Sequence, residues 1–276
     1  FEDMHFTFSK GLIKLSGKDV LDLLNRLSTN VVNPLEVNNY VNTVLLNEKG
    51  RIVDIVTILN FRNYFYLLTS GIYLNKVKDY LDKYIIMDDV IIDEIKSNVK
   101  VDWIKKDIAS VNTEFNNENN LITYFDNLFF DKEVKIYLQE TDFTESNSEY
   151  DKFRIERLIP VAPNEINEEI NPLECGLKDL ISFTKGCYIG QEVIARLDSQ
   201  GKIPKQMKKF YSDEQINNGD KIFYTQEGNE EFKECGFVSS FIENTGLMFI
   251  RSVTLNNINQ YFINKNNNFI KIKITL

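Results

Sequence analysis

The sequence predicts an α+β protein, with two sheet-and-helix lobes followed by a small C-terminal β-barrel. Three observations lead there. Apolar spacings of period 2 and period 3.6 interleave up to about residue 201. Short strand-like runs divided by Asn/Gly turns take over after Pro204. A chain of 276 residues is long enough for two or three compact units. The expected divisions are 1–98, 99–203 and 204–276.

In the first lobe, Gly11–Leu15 reads as a strand, and Ser16 is a candidate N-cap with Asp19 three residues on. The helix it opens carries Val20, Leu23, Leu24 and Leu27 on one face. Val41–Leu46 and Arg51–Leu59 flank Asn47-Glu48-Lys49-Gly50, a four-residue hairpin connection. Tyr64–Thr69 is a third strand, Leu74, Val77, Tyr80, Leu81 and Tyr84 make a helical stripe, and Val90–Ile95 returns to strand. In the second lobe, strands are expected at Val101–Ile104, Leu121–Phe130 and Val134–Leu138, with helices around Tyr150–Leu158 and Ile189–Leu197. Asn-rich stretches at Asn112–Asn120 and Glu140–Glu149 read as surface loops. The barrel strands are expected at Met207–Tyr211, Lys221–Tyr224, Gly236–Phe241, Gly246–Ile250 and Phe269–Ile274.

Composition excludes several function classes. No run approaches the roughly 20 apolar residues of a membrane helix, and no basic–apolar–small signal segment opens the chain. Cys175, Cys187 and Cys235 are odd in number and never spaced as Cys-x-x-Cys, which argues against a disulfide framework, a zinc ribbon or a self-held iron–sulfur cluster. A reducing compartment suits them. The single histidine, His5, leaves no Ser-His-Asp triad or His-rich metal site, so no metal is expected. A net charge of −9 argues against direct nucleic-acid binding. The charge is uneven, because residues 185–209 hold six basic side chains against two acidic ones. That local field suits a small anion, or is simply a solvated basic face.

Candidate residues concentrate in residues 181–202. Cys187 follows Lys185 and Gly186 at the expected entry to a helix, where free N–H groups and the dipole favour a thiolate. The plainer reading is a small side chain packed in a turn. Gly186 and Gly190 permit close backbone approach, and Arg196 extends an anion-facing edge. Two carboxylates stand in apolar surroundings where an unpaired charge is costly: Asp54, within Ile52–Leu59, and Glu156, within Phe153–Ile159. For Glu156 the alternative is an ion pair with Lys152, Arg154 or Arg157.

The octapeptide Lys185-Gly186-Cys187-Tyr188-Ile189-Gly190-Gln191-Glu192 resembles the signature of the YgfZ family of folate-binding proteins that support iron–sulfur enzymes. Three further segments resemble elements shared with the related aminomethyltransferase (T-protein) of glycine cleavage: Phe153–Pro160, Asn171–Leu177 and Leu45–Asp54. The resemblance implies two lobes around a central cleft that binds tetrahydrofolate or a derivative. It implies iron–sulfur client or carrier partners, support of tRNA modification through such clients, and a cytoplasmic or, in a eukaryote, mitochondrial-matrix location. It also implies that Glu156 binds the pterin, with Asp54, Arg154 and Arg196 as further ligand contacts, and that Cys187 with Lys185 carries the chemistry. T-proteins carry a second aspartate where this chain has Ile55, which speaks against aminomethyl transfer. A folate-dependent one-carbon transferase or demethylase is the alternative, and a purely docking adaptor is a third reading.

Overall fold

A computed structural model describes residues 4–107, 114–226, 228–229, 231–256 and 259–275. The chain runs through β1 (His5–Ser16), α1 (Val20–Leu27), β2 (Tyr40–Leu46), β3 (Ile52–Asn60), β4 (Phe65–Ser70), α2 (Leu74–Tyr84) and β5 (Ile91–Lys105). It continues with β6 (Asn116–Glu118), β7 (Leu121–Asp126), β8 (Lys132–Tyr137), α3 (Asn147–Glu156) and α4 (Gln191–Gln200). The barrel follows as β9 (Lys205–Tyr211), β10 (Lys221–Thr225), β11 (Lys233–Ile242), β12 (Thr245–Arg251), β13 (Gln260–Lys265) and β14 (Asn268–Thr275).

The α+β class and the closed C-terminal barrel are as expected, the barrel order being β10-β11-β12-β9-β14-β13. The strands before it form one eight-stranded antiparallel sheet, β2-β3-β4-β1-β5-β8-β7-β6. The two lobes therefore share a sheet, and the division expected at residue 98 falls inside the 15-residue strand β5. β1 joins the halves by pairing with β4 on one side and β5 on the other.

Alternation of side chains decides what each face covers. Ile13, Ile58 and Leu67 point to one face and meet the buried stripes of α1 (Val20, Leu23, Leu24, Leu27) and α2 (Leu74, Val77, Leu81). Their neighbours Leu12, Leu59 and Leu68 point to the other face, into a core shared with Val101, Ile122, Tyr124 and Ile136. The sheet curls around this second face until β2, at one edge, meets β7, near the other. Among the described residues no ladder between the named strands closes that seam. Side chains do: Tyr40 Oη donates to the Phe125 carbonyl at 2.6 Å, Asn42 Nδ2 to Asp126 at 3.0 Å, and the Tyr40 and Tyr124 rings lie 4.5 Å apart. An isolated bridge pairs Asn39 with Glu114 beside them. α3 lays Tyr150 and Phe153 on Phe6 and Phe8 of β1.

Several local expectations are corrected. Ser16 is the last residue of β1, and Asp19 stands at the helix N-cap without a side-chain capping bond. The 121–130 strand stops at Asp126, where Leu128 N turns back onto the Asp126 carboxylate. Residues 112 and 113 of the Asn-rich loop lie outside the described residues, while Asn116–Glu118 pairs with β7. The barrel has a sixth strand, β13, not expected from sequence, with Tyr261 and Ile263 directed into its core.

Candidate functional site

The curl of the sheet encloses a cavity of about 670 Å³, closed over by α3 and the segment 160–166. Its apolar walls are Phe8, Leu68, Trp103, Tyr124, Phe129 and Tyr150. Its floor is polar and lies on the β2/β7 seam. Thr57 Oγ1 donates to Asn42 Oδ1 at 2.6 Å, and Asn42 Nδ2 donates to Asp126 Oδ1. Lys132 stands beside them, 1% exposed, with Nζ 3.6 Å from Asp126 Oδ2 and donating to the Leu128 carbonyl at 2.5 Å. Burial holds its pKa below the usual lysine value, and Asp126 opposes that shift. Trp103 and Phe130 present their rings to the same ammonium.

Asp54 is fully buried and does not line the cavity. It sits behind Ser70, which does. Its carboxylate accepts from Ser70 N at 2.8 Å, Ser70 Oγ at 2.7 Å and Ile55 N at 2.9 Å. Burial raises its pKa from 3.8 to about 6, against those hydrogen bonds and the charge of Lys10, which lines the cavity. Ile55, adjacent in sequence, faces the cavity in its place.

Glu156 is outside the cavity. Arg154 is 1% exposed, and Glu156, two residues on, lies about 200° around α3. Its carboxylate is half exposed and bonds Lys209 Nζ of β9 at 2.7 Å. An ion pair is thus the observed role, with a barrel lysine as partner. Arg154 reaches the cavity wall, but its donors are spent on structure. Nε binds Asp151, Nη1 binds Glu165 at 3.1 Å and Nη2 binds Ser240 of β11 at 2.8 Å.

The octapeptide lies away from the cavity, on the face of the sheet covered by α1. The helix it precedes begins at Gln191, not Ile189, so Cys187 is four residues short of the helix N-terminus. Cys187 therefore stands outside the first turn of α4, to which the field of the helix end is confined. Cys187 is exposed, whereas Cys175 and Cys235 are buried. Burial raises the Cys175 thiol well above its ordinary pKa and that of Cys235 to about 12. Lys185 holds no free ammonium for an anion. Nζ donates to the carbonyls of Asn25 (2.6 Å), Ser28 (2.8 Å) and Asn30 (2.6 Å), clasping the C-terminal end of α1. Burial lowers its pKa to about 8, while the negative end of α1 favours the charged form. Arg196 is an exposed residue of α4, remote from the cavity lining.

The motif's second glycine is sterically required. Gly190 has φ +80°, and a Cβ there lies 2.7 Å from Asn47 O and 2.9 Å from Gly50 Cα. The octapeptide is therefore docked on the 47–50 hairpin turn, so two segments singled out separately in the sequence form one interface. At Gly186 a Cβ would meet nothing within 4 Å. The structure brings Arg154 to the cavity wall and Asp54 behind it, next to Ser70, and it keeps Lys185, Cys187, Glu156 and Arg196 out of the lining. Sequence reasoning missed Asp126, Lys132 and Ser70. The signal that singled out Asp54, a lone carboxylate in an apolar strand, also marks Asp126 in Leu121–Phe130.

Comparison with known proteins agrees with this architecture. Residues 7–111 match the sequence family described as the GCVT N-terminal domain. The chain is 25% identical to an aminomethyltransferase of Caldanaerobacter subterraneus subsp. tengcongensis, over 76% of this chain and 65% of that protein. It is 27% identical to the tRNA-modifying protein YgfZ of Hamiltonella defensa, over 69% of this chain and 64% of that one. The chain thus spans just under two thirds of the length of these relatives. Glycine cleavage system aminomethyltransferase T from Bartonella henselae superposes with a TM-score of 0.76, covering 97% of this chain and 84% of that one at 12% identity. In fold, and in the sequence family that its N-terminal part matches, the chain is GcvT-like.

Proposed function

We propose that this chain binds a tetrahydrofolate-type ligand in the cavity and serves iron–sulfur enzymes through the exposed Cys187. The cavity carries the first half of the reading. Its volume falls in the range of about 300–1,000 Å³ usual for small-molecule sites, its walls are aromatic, and its polar groups are few and fixed. Trp103, Tyr124 and Phe129 offer aromatic surface to a flat heteroaromatic ring, and Thr57, Asn42 and Asp126 offer polar groups to its edge. Bound there, a reduced folate supplies a one-carbon carrier. The protein's own part is to exclude water and hold the ring.

The second half rests on the octapeptide, which resembles that of the YgfZ family, and on Cys187 being the one exposed thiol among the three cysteines. The segment is anchored at both ends, by Lys185 on α1 and by Gly190 on the hairpin, with Cys187 presented between. Docking and thiol chemistry are both open to a side chain so placed. A transferase or demethylase role is less well supported, since Asp54 reaches the cavity only through Ser70 and Ile55 replaces the second carboxylate.

Calorimetric titration with tetrahydrofolate tests the cavity, and absence of binding overturns the folate half. Complementation of a cell lacking the native protein tests the cysteine. Full restoration of iron–sulfur enzyme activity by Cys187→Ala overturns that half.

A further inference from the structure

Burial holds three lysines among the described residues below the usual lysine pKa: Lys10, Lys132 and Lys185. What their ammonium groups bind accounts for two of them. Lys132 donates to the Leu128 carbonyl and faces Asp126, and Lys185 donates to three carbonyls at the end of α1. Lys10 differs. It lines the cavity, with Nζ 5.9 Å from the centre of the Phe8 ring and 5.3 Å from that of Trp103. Among the described residues its ammonium has ring faces for neighbours and no hydrogen-bond acceptor.

We propose that Lys10 is a carbonyl-binding amine, whose Nζ takes a small aldehyde as an imine inside the cavity while Ser70, backed by Asp54, passes the proton. The proposal goes beyond the folate reading of the cavity and does not rest on it. A surface lysine is nearly all ammonium at neutral pH and has no lone pair to offer a carbonyl. A lysine desolvated among apolar groups offers more of the neutral amine. Around Lys10 the charges of Asp54 and Glu145 favour the cation, yet burial outweighs them. The Lys132 ammonium is close enough for the two cations to repel.

Strand register supplies the proton path. Lys10 of β1 stands directly opposite Ser70 of β4, and both line the cavity. Ser70 Oγ donates to Asp54 Oδ1 at 2.7 Å, and Asp54, its pKa raised to about 6, carries a proton in part of the population near neutrality. In the reaction the Nζ lone pair attacks the carbonyl carbon and the C=O π pair moves to oxygen. An N–H proton passes to that oxygen and gives a carbinolamine. Its hydroxyl leaves as water with a proton that Asp54 supplies through the Ser70 hydroxyl. The nitrogen lone pair closes the C=N bond, and the Asp54 carboxylate left behind balances the iminium charge. Nothing is oxidised or reduced.

The test exposes the whole protein to formaldehyde at pH 7 for a series of short times. Each sample is quenched with borohydride, which reduces an imine to a methylamine, and methylated lysines are mapped by mass spectrometry. In wild type, Lys10 should gain methyl at least about threefold faster than the exposed Lys18 and Lys49, and Lys132 and Lys185 should lag behind them. Lys10 methylated no faster than Lys18 and Lys49 overturns the proposal, and this comparison needs no variant to fold. Ser70→Ala removes the hydroxyl between Asp54 and the cavity. It should slow Lys10 about tenfold and leave Lys18 and Lys49 unchanged. An unchanged Lys10 rate in S70A overturns the proton path. Tetrahydrofolate titration is a separate measurement, so either reading fails without the other.

Discussion

Gly190 stands at φ +80° with two backbone groups where a Cβ belongs, so no side chain fits without moving the hairpin or the helix. Gly190→Ala is expected to cost about 2 kcal/mol or more. Gly186→Ala, with open space around it, is expected to stay within about 0.5 kcal/mol of wild type. Urea denaturation of both variants reads this contrast, which the sequence alone does not contain because both residues are glycines of one motif. Asp54 has a different signature. Its folded pKa, about 6, lies above the unfolded 3.8. The stability it contributes is thus present below pH 3.8 and lost as pH rises through 6. Between about pH 4 and 7.5 that loss approaches about 3 kcal/mol, and Asp54→Asn should flatten the slope of unfolding free energy against pH across that window. The thiols sort by burial: limited iodoacetamide labelling followed by mass spectrometry should modify Cys187 well before Cys175 or Cys235. Labelling of either buried cysteine first contradicts the placement of all three.

At the scale of elements, Lys185 is a C-terminal clasp for α1. Replacing it with methionine keeps the stem and leaves three carbonyls without their ammonium, at a cost of about 1–3 kcal/mol. Amide hydrogen exchange in Leu23–Leu27 of K185M should speed up while β1 and β5 stay protected. Uniform loss of protection would mean the clasp is not local. Most elements were legible from apolar periodicity, since α1, α2 and the β2–β3 hairpin each bury one regular stripe. The start of α4 was not. Ile189 carries the helical spacing, but it packs with the α1 core from a turn, and helix begins only after Gly190. β13 escaped because only Tyr261, Phe262 and Ile263 separate its polar ends, too short a run for a period to show.

The whole molecule depends on contacts that no local pattern announces. Arg154 ties α3 to Glu165 in the following segment and to Ser240 of the barrel, with all three residues buried. Arg154→Met strands the fully buried Glu165, so a loss of about 3–5 kcal/mol is expected, read as a lower thermal midpoint. A shift confined to the barrel signal would instead place the coupling elsewhere. The cavity was legible only in part. Arg154 reaches its wall and Asp54 stands one residue behind it, at Ser70, yet its floor is assembled from β2, β3, β7 and β8 by a curl that strand order, not residue spacing, determines. Glu156 misled because the turn of α3 that buries Arg154 sends its neighbour outward. The clasp at Lys185 has a further meaning in the order of chain growth. Its three bonds link positions 155 to 160 apart, closing a ring whose entropy cost for a free chain is about 4–5 kcal/mol. Sheet pairing must shorten that ring before the bonds are worth making. A nascent chain still short of residue 185 leaves the end of α1 open, and Cys187 reaches its displayed position only once the sheet has formed. The fixed placement of Cys187 is thus a property of the folded sheet, whereas its exposure alone is shared with the unfolded chain.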